Sequence, residues 1–253
     1  METISDSKNF VNGMKGIIPT VNNSSSDRVI AIGDIHGCFD KLMSLWRKLE
    51  VTDNDLVIFL GDYIDRGPQV AETIKWILEQ SKKDNFIFLR GNHEQMILDA
   101  FQKRMNKITW LFNGGQATIR GLSKLKSEDK TFIEQFLKFV ESLPLSYSIE
   151  IGERTLFFCH GGVDSRKPLE EQSENFLLWA REEFFDTYDG DAVIISGHSP
   201  VQAFEKFGVA DNPRPVKLPD KNIVLVDTGS FVRSGKISAV DILTGEYWQS
   251  DII

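Results

Sequence analysis

Cysteine is scarce in this sequence: its 253 residues include two, Cys38 and Cys159, each at the end of an apolar run. Two cysteines so far apart do not imply the disulfide framework that stabilises many small secreted proteins. We expect both side chains in the hydrophobic core rather than in a metal site. Their number favours a reducing compartment such as the cytoplasm.

Long apolar runs and an excess of basic residues are also absent. No run approaches the roughly 20 apolar residues that a membrane-spanning helix needs, and the first residues lack the apolar core of a secretion signal. The 29 lysines and arginines are outnumbered by 37 aspartates and glutamates, which gives a net charge of −8. This balance argues against a general affinity for nucleic acid or for an anionic membrane.

The folded part of the chain is predicted to begin near Arg28. Residues 1–27 are polar and rich in serine and asparagine, which is typical of a flexible leader, so we expect a single domain over 28–253. Short apolar runs then alternate with helical patterns. The runs cover 28–32, 55–60 and 85–89, and the helical patterns cover 39–49, 69–81 and 94–104. This order predicts parallel strands with right-handed crossovers.

The rest of the chain has a different pattern. Residues 105–142 are predicted as a helical insert, and strands predominate after it, beginning with a hairpin formed by 145–151 and 154–159. One helix is predicted near 175–185 and a loop at about 201–221. Two mixed β-sheets packed face to face as a sandwich, with helices outside, fit this order better than one parallel sheet.

The four histidines of the chain each follow a predicted strand and lie close to glycine. They are His36, His93, His160 and His198. In open α/β folds, loops at the carboxyl ends of the strands converge on one crevice, and glycine lets the backbone approach a ligand closely. The four side chains are therefore predicted to meet at one site.

Carboxylate and amide side chains occur in the same loops. Asp34 and His36 are two positions apart, so in an extended backbone they share a face and can bind one ion. The predicted metal ligands are Asp34, His36, Asp62, Asn92, His160 and His198. This set is too large for one tetrahedral ion and suits two ions that share a bridging carboxylate.

Such a pair of ions predicts phosphoester hydrolysis. Two metals about 3.5–4 Å apart bind a phosphoryl oxygen and lower the pKa of a bridging water, so that hydroxide forms near neutral pH. The leaving alkoxide then needs a proton; His93 is the predicted general acid, and Asp65 the carboxylate that holds it. Arginine binds tetrahedral anions through two parallel hydrogen bonds, and Arg66 and Arg181 are the predicted phosphate-binding residues.

Five motifs in chain order, GDIHG, GDYIDRG, GNHEQ, HGG and GHSP, resemble those of the phosphoprotein phosphatase family of metallophosphoesterases. The resemblance is greatest to the bacterial and bacteriophage lambda-type enzymes, and it covers residues 28–248. It implies a central β-sandwich flanked by helices, the α/β/β/α metallophosphoesterase fold. It also implies a first metal on Asp34, His36 and Asp62, and a second on Asp62, Asn92, His160 and His198.

The same resemblance implies a reaction. The ions would be manganese in vitro, with iron or zinc as alternatives in cells, and metal-bound hydroxide would attack the phosphorus directly, without a phosphoenzyme. Symmetrical diadenosine tetraphosphatases of the family vary the Asp65-Arg66-Gly67 segment, which this chain retains. The expected substrates are therefore phosphoserine and phosphothreonine in proteins, with phosphotyrosine as a further option. Hydrolysis of diadenosine tetraphosphate or another nucleotide by the same chemistry is the alternative.

Two rival interpretations leave features unexplained. Asp227-Thr-Gly-Ser230 resembles the active-site signature of aspartic proteases, but those enzymes need two carboxylates that share a proton, and the chain has no matching second copy. The segment is instead predicted to be a strand-end turn near the site, in which Thr228 and Ser230 bond backbone groups. A non-catalytic binding module would be expected to lack a ligand or the acid, and none is missing.

Substrate selectivity is expected to come from less patterned segments. Residues 105–122, with Trp110 and Phe112, and the loop at 201–221 are candidates to border the cleft. The alternative is that the two aromatic side chains pack the insert itself.

Overall fold

The structure is a computed structural model that describes residues 26–102 and 107–252, so the predicted leader lies outside the described residues as far as position 25. The strands are β1 (Val29–Ile32), β2 (Leu56–Phe59), β3 (Phe86–Phe88), β4 (Ser146–Ile151), β5 (Arg154–Cys159), β6 (Val193–Ser196), β7 (Val216–Lys217), β8 (Ile223–Leu225), β9 (Ser238–Asp241) and β10 (Tyr247–Gln249). The α-helices are α1 (Phe39–Leu49), α2 (Val70–Gln80), α3 (Asn92–Phe101), α4 (Lys107–Trp110), α5 (Gln116–Glu128), α6 (Phe132–Ser142), α7 (Glu174–Trp179) and α8 (Glu182–Thr187).

The first sheet has the strand order β10-β9-β1-β2-β3. The strands β1, β2 and β3, of which β3 lies at the edge, pair in parallel, as the alternation of strands and helices predicts. β9 pairs antiparallel with β1, and β10 pairs antiparallel with β9. β10 was not predicted, because Tyr247–Gln249 lies in no apolar run of the kind that marks β3.

The second sheet has the order β4-β5-β6-β8-β7. β4 and β5 form the predicted hairpin, and their turn places Gly152 at a φ of 61°. β5, β6 and β8 run parallel, so their carboxyl ends point to one edge of the sheet. The short strand β7 lies within the stretch that was predicted as a loop.

The two sheets pack face to face, which confirms the predicted sandwich. Successive side chains of a strand point to opposite faces, and in β1 Val29 and Ala31 join a cluster between the sheets that includes Phe158 of β5. Ile30 and Ile32 point the other way and pack beneath helices of the outer layer. A third cluster covers the outer face of the second sheet. The fold is thus four layers, α/β/β/α.

The helix predicted near 175–185 is in fact two helices, α7 and α8. In a continuous helix the Leu177 carbonyl would accept a hydrogen bond from the amide of Arg181. It accepts one from the amide of Gly161 instead, at 2.6 Å. The HGG loop therefore interrupts the helix, and the break brings Arg181 to a non-helical φ of −136°.

Helices α4, α5 and α6 lie within residues 107–142. Buried side chains of α5 and α6, among them Leu122, Leu125 and Phe136, join the cluster on the outer face of the first sheet. Over residues 26–102 and 107–252, no helix combines the length and the apolar character that crossing a bilayer requires.

Candidate active site

Apart from Arg181, which lies between α7 and α8, the predicted site residues follow the carboxyl ends of β1, β2, β3, β5 and β6. The six predicted ligands together with Asp65 and His93 are all at most 4 % exposed. Arg66 is partly buried, and Arg181 is exposed. The structure thus brings the predicted residues together around one buried carboxylate, Asp62.

The backbone of these loops is strained. Seven non-glycine residues within the described ranges have a positive φ, a backbone conformation that residues with a Cβ rarely adopt. Five of them are predicted site residues: His36, Asp62, Asp65, Arg66 and His198. Such conformations cost of order 1–3 kcal/mol each and concentrate at functional sites. The strain therefore supports a role for these loops beyond connecting strands.

Two glycines allow the loops to approach each other. A Cβ at Gly91 would lie 2.2 Å from Oδ1 of Asp62, and a Cβ at Gly67 would lie 2.1 Å from the carbonyl oxygen of His36. Both distances are far below van der Waals contact. The glycines of the RGNHE and DRG segments are therefore required by packing inside the site.

The first group of potential ligands surrounds His160. The Nδ1 of His160 donates to the Leu60 carbonyl at 2.9 Å, because a carbonyl oxygen can only accept. Its Nε2 lies 2.8 Å from Oδ1 of Asn92, 3.1 Å from Nδ1 of His198 and 3.3 Å from Oδ1 of Asp62. The Nε2 of His198 is buried without a hydrogen-bond partner in the described structure. Atoms with lone pairs thus converge on one point, as a cation requires.

The electrostatics of this group also favour a cation. Burial alone would raise the pKa of Asp62, but the surrounding imidazoles, His160 first among them, hold it well below its ordinary value. Burial alone would lower the pKa of His160, but Asp62 and Asp34 raise it to about 9. Both shifts mean that positive charge is stabilised beside the Asp62 carboxylate.

The second group of potential ligands surrounds His36. Its Nδ1 donates to the Ile64 carbonyl at 2.9 Å. Its Nε2 lies 3.4 Å from Oδ2 of Asp62 and 3.9 Å from Oδ2 of Asp34, and it accepts a hydrogen bond from Nη1 of Arg66 at 3.2 Å. Oδ1 of Asp34 accepts from the amide of His198, which links the first and last motifs. Together with the first group, these donors fit two ions bridged by Asp62.

His93 pairs with Asp65, as predicted, at 2.7 Å between Nδ1 and Oδ2. Two residues of the insert hold the same carboxylate: Trp110 donates from Nε1 at 2.9 Å, and the Thr118 hydroxyl donates to Oδ1. The Nε2 of His93 faces Asp62 at 3.9 Å. That distance fits a general acid beside the ions, and it also fits an additional ligand in the group formed with His36 and Asp62.

The two predicted phosphate-binding arginines contact different predicted metal ligands. The Arg66 guanidinium contacts His36 and lies over the ring of Phe231, 4.3 Å from its centroid. Arg181, placed by the break between α7 and α8, donates to the His198 carbonyl at 2.8 Å and to the Ser199 hydroxyl at 3.2 Å. Although the residue as a whole is exposed, partial burial of its guanidinium lowers the pKa of Arg181, and the group still carries its charge.

Glu94 is a site residue that the sequence analysis missed. Its carboxylate accepts from the amides of Asp62, Tyr63 and Gly91 at 2.8–3.0 Å, and so it fixes the strained backbone at Asp62. Burial and the charge of Asp62 raise the pKa of Glu94 to about 7. A glutamate three residues after the N-cap of a helix, here Gly91, is a recognisable capping signal, so GNHE could have identified it.

Other sequence-based expectations have mixed outcomes. Cys38 and Cys159 are buried in apolar clusters, as expected. Thr228 donates to the Lys236 carbonyl in the predicted strand-end turn, whereas the buried hydroxyl of Ser230 has no partner in the described residues.

The two aromatic residues of the insert have opposite environments. Trp110 is 2 % exposed, packs against Gly115 of the insert and donates to Asp65, whereas Phe112 is 86 % exposed. Burial thus excludes Trp110 from direct contact with a substrate, and exposure leaves Phe112 as a candidate for selectivity.

A family model for calcineurin-like phosphoesterases matches residues 27–229. The bis(5'-nucleosyl)-tetraphosphatase PrpE [asymmetrical] of Anoxybacillus flavithermus is 30% identical over 234 residues, which cover 83% of this chain and 88% of that protein. Serine/threonine-protein phosphatase 2 of Salmonella typhimurium is 26% identical over 221 residues, covering 86% and 94%. A cold-active protein tyrosine phosphatase has a similar fold, with a TM-score of 0.57 at 19% identity, over 94% of this chain and 82% of that chain.

Proposed function

Because the chain belongs to the calcineurin-like phosphoesterase family, we propose that it is a metal-dependent phosphomonoesterase that hydrolyses phosphoserine and phosphothreonine in proteins. The observation that carries the proposal is the buried pair of His93 and Asp65, which faces Asp62 across the predicted metal site. The alkoxide that leaves from a serine or threonine phosphoester is strongly basic. Its departure therefore depends on a general acid more than the departure of a nucleotide does.

The chain's own residues have distinct parts in this proposal. Asp34, His36, Asp62, Asn92, His160 and His198 would hold two divalent ions, which we propose to be manganese, with iron or zinc as alternatives. When bound, these ions neutralise phosphoryl charge and supply the attacking nucleophile from water.

The remaining residues handle the phosphate and the proton. Arg66 and Arg181 orient the phosphoryl oxygens, and His93 donates a proton from Nε2 to the leaving oxygen. Asp65 holds the ring through Nδ1 and stabilises its protonated form, as in other His-Asp pairs.

Hydrolysis of a dinucleoside tetraphosphate is the second candidate function. It is favoured by the relative named as a tetraphosphatase, whose 30% identity extends over most of both chains. The chemistry would be the same, and only the leaving group would differ.

The two free, buried cysteines agree with the proposed cytoplasmic location.

A comparison of turnover separates the candidates. The purified chain in manganese buffer is given phosphoserine, phosphothreonine and phosphotyrosine peptides and diadenosine tetraphosphate in parallel. We expect the highest kcat/KM on phosphoserine or phosphothreonine peptides. Turnover of the tetraphosphate alone would reject the proposed substrate class and retain the metal-dependent chemistry.

A further inference from the structure

Phe231 contacts two site residues and has no part in the function proposed above. Its ring lies under the Arg66 guanidinium, 4.3 Å from centroid to Cζ, and meets the His36 imidazole edge to face at 5.2 Å between centroids. A cation above an aromatic face is attracted by the negative charge density of the ring. Phe231 thus joins the predicted phosphate-binding arginine to a predicted metal ligand.

A second contact of the Arg66 side chain, with His36, uses an atom that a metal ion also needs. Nη1 of Arg66 donates to Nε2 of His36, and this nitrogen carries the free lone pair because Nδ1 donates to the Ile64 carbonyl. An ion and the guanidinium therefore compete for one lone pair. The contact between Arg66 and the Phe231 ring does not use that lone pair, so it can persist when the metal site is filled.

The segment that carries this ring, residues 229–235, is called the Phe231 loop here. Its base is closed by two hydrogen bonds between Thr228 and Lys236, one from the Thr228 hydroxyl at 2.7 Å and one from the Lys236 amide at 3.2 Å. A Cβ at Gly235 would lie 1.7 Å from the Gly229 carbonyl oxygen, so only glycine fits at this position. The two ends of the Phe231 loop are therefore held together.

Lys41 of α1 holds the Phe231 loop from within. Its ammonium donates to the carbonyls of Ser230 at 2.7 Å, Val232 at 3.3 Å and Gly235 at 2.7 Å, and the residue is 7 % exposed. Hydrogen bonds from a charged donor are stronger than neutral ones. The helix that follows the GDIHG motif thus fixes the loop that carries Phe231.

We propose that Phe231 is a positioning residue that keeps the Arg66 guanidinium directed at the phosphoryl group, and that Lys41 sets Phe231 in place through the loop carbonyls. The inference rests on the proposed phosphate-binding role of Arg66. It gives the loop after β8 a part in binding phosphate, in addition to its part in the fold.

The first test compares Phe231→Leu with Phe231→Tyr in the manganese-loaded protein. Leucine keeps apolar bulk and removes the aromatic face, so the Kd for inorganic phosphate, measured by calorimetry, should rise about three- to thirtyfold. Tyrosine should keep the original Kd, and manganese content should be unchanged in both variants. Phe101→Leu is the matched control. The Phe101 ring also lies near a cation, 5.7 Å from Nζ of Lys107, but it is at the end of α3 opposite to His93.

A double-mutant cycle with Arg66 decides whether Phe231 acts through the arginine. Arg66→Ala should weaken phosphate binding, and adding Phe231→Leu to it should have no further effect. Full additivity, or an unchanged Kd in Phe231→Leu alone, would overturn the inference. Unchanged binding in Arg66→Ala would overturn it together with the role of Arg66. A chain that binds phosphate as expected but releases none from any phosphoester would contradict only the proposed function.

The second test addresses Lys41. In Lys41→Met, amide hydrogen exchange over residues 229–235 should accelerate, while the amides of β1, β2 and β3 exchange as before. The Kd for phosphate should rise by about the same factor as in Phe231→Leu. Unchanged exchange in the Phe231 loop, in a variant that still folds, would remove Lys41 from the inference.

Discussion

The ligand group around His160 and the pair of His93 and Asp65 lie in one site, yet different parts of the chain fix them. The carbonyl of Leu60, at the end of β2, fixes His160. Trp110 and Thr118, from the helical insert, fix Asp65. The loops of the sheets therefore fix the predicted metal site, and the insert fixes the carboxylate that holds the predicted proton donor. Damage to the first should remove metal, and damage to the second should slow turnover at full metal content.

Metal removal has the largest expected effect. Exhaustive chelation should reduce phosphate release from p-nitrophenyl phosphate to background, because both phosphoryl binding and the nucleophile depend on the ions. Added manganese should restore the rate. Undiminished activity in a sample shown by elemental analysis to be metal-free would refute the two-metal assignment.

His93→Asn tests whether the proton donor can be lost without loss of the metal site. Loss of a general acid should lower kcat by about 10²–10⁴, and more on phosphoserine peptides than on p-nitrophenyl phosphate, because the peptide's leaving alkoxide is the stronger base. Manganese content should stay at the original level. If the variant instead loses metal, His93 is a ligand, the other assignment that its 3.9 Å distance from Asp62 allows.

Asp34→Asn should instead lower the affinity for metal and leave the proton donor in place. The carboxylate lies beside His36 and caps the turn at His198, so its replacement should weaken metal binding by at least roughly 10–100-fold. Excess manganese should recover much of the activity, which it cannot do for His93→Asn. Measured manganese affinity equal to that of the unchanged protein would exclude Asp34 as a ligand.

Trp110→Phe has the smallest expected effect and tests the insert alone. It removes the hydrogen bond from Nε1 to Asp65 and leaves a buried acceptor with one partner fewer, at a cost of about 1–3 kcal/mol in the free energy of unfolding. We expect a several-fold fall in kcat with unchanged manganese content. The control is Trp46→Phe, since Trp46 packs against Phe59 and Trp76 away from the site. Equal losses of kcat in both variants would deny the insert a specific role.

The sequence was most informative where local pattern and topology agree. Parallel pairing of β1, β2 and β3 follows from the alternation of strands and helices, and it carries Asp34, Asp62 and Asn92 to one edge of the sheet. The helix predicted at 175–185 was wrong for a nonlocal reason, because the Leu177 carbonyl bonds to Gly161 instead of continuing the helix. No local signal could have shown that break.

By itself, the sequence determined which histidines and carboxylates meet, because apolar strands that alternate with helices run parallel and end at a common edge. The tertiary structure alone decided which nitrogen of His160 and of His36 keeps its lone pair, since the Leu60 and Ile64 carbonyls accept from the other nitrogen. It also decided that Trp110 holds Asp65 and that Lys41 holds the Phe231 loop. These contacts join residues 45 and 189 positions apart in the chain, and they arise only when the layers pack.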